Sequence, residues 1–314
     1  MIRKAPEYRY MVKAPQKAPN ESITDDKLDQ LPLPMIGSPK HDGYRALVGD
    51  RVYTSVLKLH RNKDVQLKLT KTEYYGLDGE LMLGVPYSTD PEDDVYNRTT
   101  ALSRAKGEFD FKLYVFDNWM YPEKTYLERW INTHEQFKDL PYIEVVEMEL
   151  LETTNDIILY TNNCLDRGYE GAMVRSMLKK YKEGRCTFRE MNIFKRKPYI
   201  DTEAVILDVF PQMKNLNPQT TNELGKNVRS SHKDNKVAMD TLGSFLMQAK
   251  EWEKPFHCGI GTMKKDRAKE LWAVKETLKG KIAVIKYQEV GSIDAPRQPV
   301  FKGFRDKNDT NFKI

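Results

Sequence analysis

Short apolar runs of strand length, interrupted by helical segments, are the feature that most constrains the fold of this chain. Two such runs, residues 44–48 and 51–54, flank Gly49-Asp50, a pair that suits a tight hairpin turn. Further runs rich in β-branched and aromatic residues lie at 112–117, 171–176, 192–197 and 203–210. This pattern, mixed with helical spacing elsewhere, predicts an α+β domain over the first 200 residues.

Two segments of the same region have helical spacing. Residues 154–167 precede Gly168, a typical helix stop. In the helix predicted at 124–138 the apolar side chains share one face, which we expect to be buried. These residues are Tyr126, Leu127, Trp130, Ile131 and Phe137.

After Pro198 the pattern changes. The strand run at 203–210 leads into a polar stretch at 211–236, followed by apolar runs at 242–249 and 281–290 around a helix at 264–279. Strands around a single helix, with long loops, suit a small barrel such as the OB-fold. We therefore predict two domains, residues 1–200 and 201–314.

Composition excludes several classes of protein. The chain has no run of about 18 apolar residues, so a membrane span is not expected. Its three cysteines, Cys164, Cys186 and Cys258, are widely spaced and predict neither disulfides nor a zinc site. A reducing cytoplasm is the natural expectation. The net charge of +5 permits a polyanionic partner but does not require one.

The stretch "KHDGYR" at 40–45 combines Lys40, Asp42, Gly43 and Arg45. With each residue type at roughly 5–7% usage, chance produces these four fixed positions in only about a few chains per thousand of this length. Taken alone, Lys40 is equally consistent with a solvated lysine beside a turn. Gly43 would permit a close backbone approach.

Further stretches follow in an order that resembles the covalent nucleotidyltransferases, which comprise ATP-dependent DNA ligases, RNA ligases and mRNA-capping enzymes. "KHDGYR" resembles their first motif, and "GLDGELMLG", "YVFD", "YEGAMVRS", "FKRKPYIDTEAVIL" and "APRQPVFKGFRDK" resemble the later ones. The resemblance covers about residues 35 to 307. It transfers functional positions to Lys40, Glu80, Phe116, Glu170, Lys195, Lys197, Arg297, Arg305 and Lys307.

The second half resembles the OB domain of compact, bacteriophage-type DNA ligases. The resemblance therefore implies a nucleotidyltransferase (adenylation) domain with antiparallel sheets and flanking helices, followed by an OB-fold domain. It implies no large N-terminal DNA-binding domain, because only about 35 residues precede the first motif. It also suggests a phage or viral protein, monomeric and working in a host cytoplasm, in DNA replication, repair and recombination.

The resemblance implies ATP and Mg²⁺ as cofactors, with Mn²⁺ as a substitute, and covalent AMP on Lys40 as an intermediate. It assigns the ribose to Glu80, the metal to Glu170 with Glu80, and purine stacking to Phe116. Arg45 would bind ribose or phosphate through its planar fork. Lys195 and Lys197, on one strand face, would lower the pKa of Lys40 and hold the α-phosphate.

The barrel residues Arg297, Arg305 and Lys307 would act on the leaving pyrophosphate when the barrel closes. The expected partner is nicked double-stranded DNA. Its predicted contacts are Lys58 and the cations of the polar stretch, a candidate clamp loop: Lys214, Lys226, Arg229, Lys233 and Lys236.

Two positions depart from the family pattern. Ser55 stands where an arginine is common, and Lys58 would hold the phosphate instead. Ser38 stands where many ligases have a glutamate that reads the adenine amino group. Two alternatives stay open: a capping-type guanylyltransferase that loads GMP, and a non-catalytic nucleic-acid-binding protein with a decayed site. Phe116 as core, Glu80 and Glu170 as turn acids, and a solvated basic strand at 195–197 are the non-functional alternatives.

Overall fold

The computed structural model describes residues 14–90, 93–221, 227–230, 232–288, 292 and 294–305. The chain divides into two compact units, Met1–Lys197 and Pro198–Ile314. Within the described ranges, no helix is both long enough and apolar enough to cross a membrane.

The first unit contains two antiparallel-rich sheets. One has the strand order β7-β1-β8-β9 and the other the order β3-β2-β4-β5-β6, in which only the β5–β6 pair is parallel. The strands are β1 (Met35–Pro39), β2 (Tyr44–Val48), β3 (Val52–Thr54), β4 (Leu77–Leu83), β5 (Phe111–Asn118), β6 (Ile143–Val145), β7 (Glu149–Leu151), β8 (Ala172–Arg175) and β9 (Ile193–Arg196).

Four helices flank these sheets: α1 (Lys63–Leu69), α2 (Val95–Thr99), α3 (Tyr126–Phe137) and α4 (Thr154–Asp166). Capping boxes at Thr125 and Thr153 start the two longest, because each threonine and the acid three residues on satisfy the first free N–H groups. Gly168 follows α4 with φ +85°, where a side chain would also collide with Ser88. The predicted helices are confirmed.

The buried face of α3 differs from the prediction. Tyr126, Arg129, Thr133 and Phe137 are its buried residues, whereas Ile131 is 41% exposed. Arg129 is buried because its guanidinium donates to both carboxylate oxygens of Asp117, at 2.7 and 3.1 Å. A buried ion pair that is fully hydrogen-bonded can occupy a position that the apolar pattern assigns to the core.

The second unit is a closed five-stranded barrel in the order β10-β13-β14-β16-β15, with one α-helix, so the OB-fold prediction is confirmed. Its core includes Ile206, Phe245 and Ile285. The elements are β10 (Ile200–Asn215), β11 (Gln219–Thr221), β12 (Asn227–Arg229), β13 (Lys236–Ala249), β14 (Phe256–Gly259), α5 (Lys265–Ala273), β15 (Ile282–Gln288) and β16 (Arg297–Phe304).

The sequence suggested a loop over the polar stretch at 211–236, but most of its described residues lie in strands. Strands β10 and β13 stay paired as far as Asn215↔Lys236, and β11 pairs with β12. Together with residues 237–242 of β13, the described part of this stretch forms a β-hairpin arm, residues 211–221, 227–230 and 232–242. Polar residues form paired strands here because backbone hydrogen bonds, rather than a buried face, hold them.

Candidate active site

Lys40 directly follows β1, where its backbone is hydrogen-bonded to the two residues just before β8. Its N–H donates to Gly171 O at 2.9 Å, and its carbonyl accepts from the Glu170 N–H at 3.2 Å. This reciprocal pairing places the Lys40 and Glu170 side chains next to each other. Gly43 follows where a Cβ would collide with the Leu81 carbonyl, so the loop after Lys40 needs a glycine.

The carboxylate of Glu170 is held between two ammonium groups. One oxygen accepts from Lys40 Nζ and the other from Lys197 Nζ, and only 4% of the Glu170 side chain is exposed. Burial raises the pKa of Glu170, but the charges of Lys40 and Lys197 outweigh it and lower this pKa to about 2. Glu170 is therefore ionised at neutral pH.

The two lysines respond in opposite directions. Burial and the charge of Lys40 lower the pKa of Lys197 to about 8. Burial also lowers the pKa of Lys40, but Glu170, Glu80 and Asp42 outweigh it, so the net shift is upward. The prediction that the strand lysines depress the pKa of Lys40 is wrong for this structure, because Glu170 holds Lys40 as an ammonium.

A pocket of about 280 Å³ opens beside Lys40, close to the lower end of the ligand-pocket range of roughly 300–1,000 Å³. Seven residues singled out in the sequence line it: Ser38, Lys40, Arg45, Ser55, Glu80, Phe116 and Lys195. The remaining lining residues are Gln16, Lys17, Ala18, Pro39, His41, Met173, Arg175, Arg185 and Ile193. The seven residues come from five strands, β1, β2, β4, β5 and β9, and from the loops that follow β1 and β3.

Glu80 lies on β4 opposite Arg45 on β2. Burial raises its pKa to about 8, helped by Glu170 and Asp42 and opposed by the Lys40 and Arg45 charges. Its carboxyl group is therefore mostly protonated at neutral pH and can donate as well as accept a hydrogen bond.

Arg45 is bound to protein groups on three sides. Nε and Nη2 donate to the Asp78 carboxylate at 2.8 and 2.6 Å, and Nη1 donates to the Gln16 carbonyl at 2.6 Å. Its guanidinium lies 5.3 Å from the Phe116 ring centre. Burial lowers the pKa of Arg45, but Asp78 outweighs it and raises the pKa overall. Arg45 thus holds the pocket wall, and its contact with ribose or phosphate stays a prediction.

Residues 16–18 and Arg185 were missed in the sequence. The Lys17 N–H donates to Gly184 O, the Cys186 N–H donates to Lys17 O, and Arg185 Nη1 donates to Ala18 O at 2.7 Å. This short wall lies about 22 residues before Lys40 and outside every matched motif. Of these residues, only Arg185 could have been suspected from the sequence, because it is an arginine between two of the matched motifs.

His41, next to Lys40, is buried against aromatic rings. Its ring centre lies 4.8 Å from that of Tyr114 and 5.5 Å from that of Tyr169. Burial and the charge of Lys40 lower the pKa of His41 to about 3, so the imidazole is neutral. It packs as an aromatic side chain beside the lysine.

The predicted residues of the second unit are described within that unit alone. Arg297 starts β16, and Arg305 follows it, with Nε donating to Glu203 at 2.8 Å. Lys214 and Lys236 lie at the end of the β10–β13 pair, and Arg229 donates to the Asn217 carbonyl at 2.5 Å. Lys233 lies in the turn before β13. Lys226 and Lys307 lie outside the described residues.

No protein-family model matches the chain. DNA ligases of African swine fever virus isolates are 24% identical to it over 187 residues, which is 54% of this chain. The match covers only 43% of the length of those relatives.

Solved structures give a broader match. A Chlorella virus DNA ligase-adenylate is 25% identical, with a TM-score of 0.51 over 95% of this chain and 100% of that one. A Lig E DNA ligase is 18% identical, with a TM-score of 0.67 over 94% of this chain and 100% of that one. The chain therefore has the fold of the compact DNA ligases and is similar in sequence to viral members of that family.

Proposed function

We propose that this protein is an ATP-dependent DNA ligase that seals nicks between a 3′-hydroxyl and a 5′-phosphate in duplex DNA. The observation that carries the proposal is the convergence on one pocket of Lys40, Glu80, Phe116 and Lys195, with Glu170 and Lys197 bonded around the lysine. Transfer of a nucleotide to a lysine requires a nucleophilic lysine held in position, a pocket large enough for a nucleotide base, and further cations that bind the phosphates.

The proposed reaction has three steps. Lys40 Nζ, as the neutral amine, attacks the α-phosphorus of ATP; a P–N bond forms, the P–O bond to pyrophosphate breaks, and the proton leaves Nζ. An oxygen of the 5′-phosphate at the nick then attacks the phosphorus of the Lys40-bound AMP; a P–O–P anhydride bond forms, the P–N bond breaks, and Lys40 Nζ regains a proton from solvent. Finally the 3′-hydroxyl attacks that phosphate, AMP leaves, and the strand is continuous.

The residues around the pocket have matching tasks in this proposal. Phe116 and Met173 line the pocket and offer apolar surfaces for the purine, while Glu80 and Ser38 offer polar atoms. Lys195 and Arg185 supply positive charge for the α-phosphate. Lys197 remains beside Glu170 when the Lys40 nitrogen becomes part of a phosphoramidate, because that nitrogen then has no positive charge and no longer needs a carboxylate partner.

Glu170 and Glu80 would hold a Mg²⁺ ion, because Mg²⁺ favours one or two carboxylates together with phosphate oxygens and water. Glu80 would have to lose its proton when the ion binds. Among the described residues, no group of three acidic, histidine or cysteine side chains forms a complete metal cage. When bound, the ion would neutralise charge on the phosphates. Glu170 would be available for it once Lys40 carries AMP.

DNA binding would come mainly from phosphate contacts and would weaken with salt. We propose that Lys58 and the arm cations Lys214, Arg229, Lys233 and Lys236 take part. Arg305, 43% exposed on its side chain, is proposed to act during adenylation. Arg305→Ala should then slow lysine adenylation far more than sealing of a pre-adenylated nick, and equal losses would contradict this role.

The decisive experiment is labelling with α-³²P-labelled ATP or GTP and Mg²⁺, followed by denaturing electrophoresis. Wild type is compared with Lys40→Ala and, as a control, with Lys71→Ala, which changes an exposed lysine that does not line the pocket. A label from ATP that is lost only in Lys40→Ala, together with sealing of a nicked duplex, supports the proposal. A label from GTP would instead indicate a capping-type enzyme. No label, even after pyrophosphate treatment to remove AMP bound during expression, would refute the activity.

A further inference from the structure

A buried asparagine joins two surface segments of the first unit. Asn62 is fully buried, and its Oδ1 caps α1 by accepting from the Val65 N–H at 3.0 Å. Its Nδ2 donates to the carbonyls of Arg104, at 2.9 Å, and Gly107, at 3.3 Å. The Lys63 N–H adds a bond to the Ala105 carbonyl at 3.3 Å. The segments 61–63 and 104–107 are therefore neighbours.

This junction presents four cations on one surface, which we call the basic patch: Arg61, Lys63, Arg104 and Lys106. All four are exposed, and none forms an ion pair with another described residue. The neighbouring Asp64 is paired with Lys68 at 2.8 Å, and two exposed acids, Glu108 and Asp110, also lie close in sequence.

Asn62 holds the two segments together, so their four like charges stay close and their mutual repulsion slightly destabilises the free protein. A polyanion on this surface would remove the repulsion and release counterions. The two arginines offer planar forks for phosphate oxygens, and the two lysines offer point charges.

The patch lies along the chain from the pocket rim. Ser55 lines the pocket, and the exposed Lys58 follows, with its carbonyl accepting from the Thr54 N–H at 2.8 Å. Eight residues separate Ser55 from Lys63, so their Cα atoms are at most about 28 Å apart. At about 3.4 Å per base-pair step, this is a reach of about eight base pairs.

We propose that the basic patch binds backbone phosphates of the duplex within about eight base pairs of the nick, on one side of it. This inference rests on the proposed ligase function. The patch would be a second anchoring surface in the first unit, separate from the pocket and from the β-hairpin arm of the second unit. It would contribute affinity and no sequence preference.

The test compares a patch variant, R61Q/K63Q/R104Q/K106Q, with a matched control, K71Q/K138Q/K179Q/R189Q, which removes four other exposed cations of the same unit. Binding of full-length protein to a nicked duplex is measured between 50 and 300 mM salt. Each lost phosphate contact reduces the slope of log K against log salt by about 0.9, so the patch variant should lose about 3 to 4. Adenylation by ATP alone should be unchanged in both variants.

A second set of duplexes locates the contact. In one duplex the segment on the 3′-hydroxyl side of the nick is shortened to about four base pairs, and in the other the segment on the 5′-phosphate side is. The affinity difference between wild type and patch variant should vanish for one of these two duplexes and persist for the other. Equal loss of salt slope in the control, or no loss in the patch variant while it still seals nicks, would overturn the patch and leave the ligase proposal intact. Wild type that neither loads AMP nor binds nicked duplex would overturn both.

Discussion

Replacement of Glu170 by glutamine should destabilise the first unit by about 1.4 kcal/mol at pH 7. The two ammonium groups contact opposite oxygens of one carboxylate, so Lys40 Nζ and Lys197 Nζ lie roughly 5–6 Å apart. At an effective dielectric constant of about 20, their repulsion without the carboxylate is about 3 kcal/mol. Side-chain exposures of 21% for Lys40 and 9% for Lys197 leave only partial relief by solvent. Loss of a proton from Lys197 relieves this repulsion, and because the pKa of Lys197 is about 8, it limits the cost at pH 7 to about 1.4 kcal/mol.

The assay is equilibrium urea unfolding of the full chain at pH 7, with Glu147→Gln as the control for an exposed glutamate. The double variant Glu170→Gln/Lys197→Met should recover most of the loss, because it leaves one ammonium without a like-charged neighbour. The reasoning is refuted if Glu170→Gln stays within about 0.5 kcal/mol of wild type, or if the double variant is no more stable than the single one.

Three further predictions concern groups around the same pocket. The pKa of Glu80 is raised to about 8 in the folded protein, so its contribution to stability is present below the unfolded carboxyl pKa of about 4.5 and is lost as pH rises to about 8. Glu80→Gln, which does not titrate, should therefore gain stability relative to wild type between pH 5 and pH 8. A stability difference that stays constant over this range would contradict the raised pKa. Asp117→Asn should cost about 3 kcal/mol in urea unfolding, since it leaves Arg129 buried beside a neutral group, and a loss below about 1 kcal/mol would disprove that role. Arg45→Lys keeps the charge but cannot bind both Asp78 and Gln16, so KM for ATP in adenylation should rise about tenfold with little change in kcat, and a fall in kcat alone would point to direct catalysis.

The order of motifs predicted the pocket well because each motif sits at a strand end or in a strand. Lys40, Glu80, Phe116 and Lys195 needed only correct strand pairing to meet. The wall at Gln16 was not predictable in this way, because a backbone carbonyl bound by Arg45 leaves no pattern of residue types.

The direction of the pKa shift of Lys40 was also not predictable from the sequence. From the sequence, Lys195 and Lys197 were expected to decide the pKa of Lys40, since both lie on a basic strand. In the structure the Glu170 backbone pairs with Lys40, and the carboxylate dominates. Which of two opposite charges lies closer depends on register, and register is set by the whole sheet.

Apolar periodicity misjudged α3 for a related reason. The pattern treats every arginine as exposed, whereas Arg129 is 1% exposed because Asp117 on β5 faces it. The partner lies 12 residues earlier on another element. A single-sequence pattern contains no term for such a pair.

The strands β10 and β13 have a mechanical consequence. Each runs without interruption from the barrel wall into the β-hairpin arm, and 16 residues of β10 span about 50 Å. No flexible linker separates the barrel wall from the arm. The arm should therefore move as a rigid extension of the wall, and bending should be concentrated where the register of the β10–β13 pair shifts, between Phe210 and Met213. Gly243 packs there with a would-be Cβ 2.6 Å from the Pro211 carbonyl. A load applied to the arm would therefore strain the barrel itself at that point, and amide exchange in the two should be coupled.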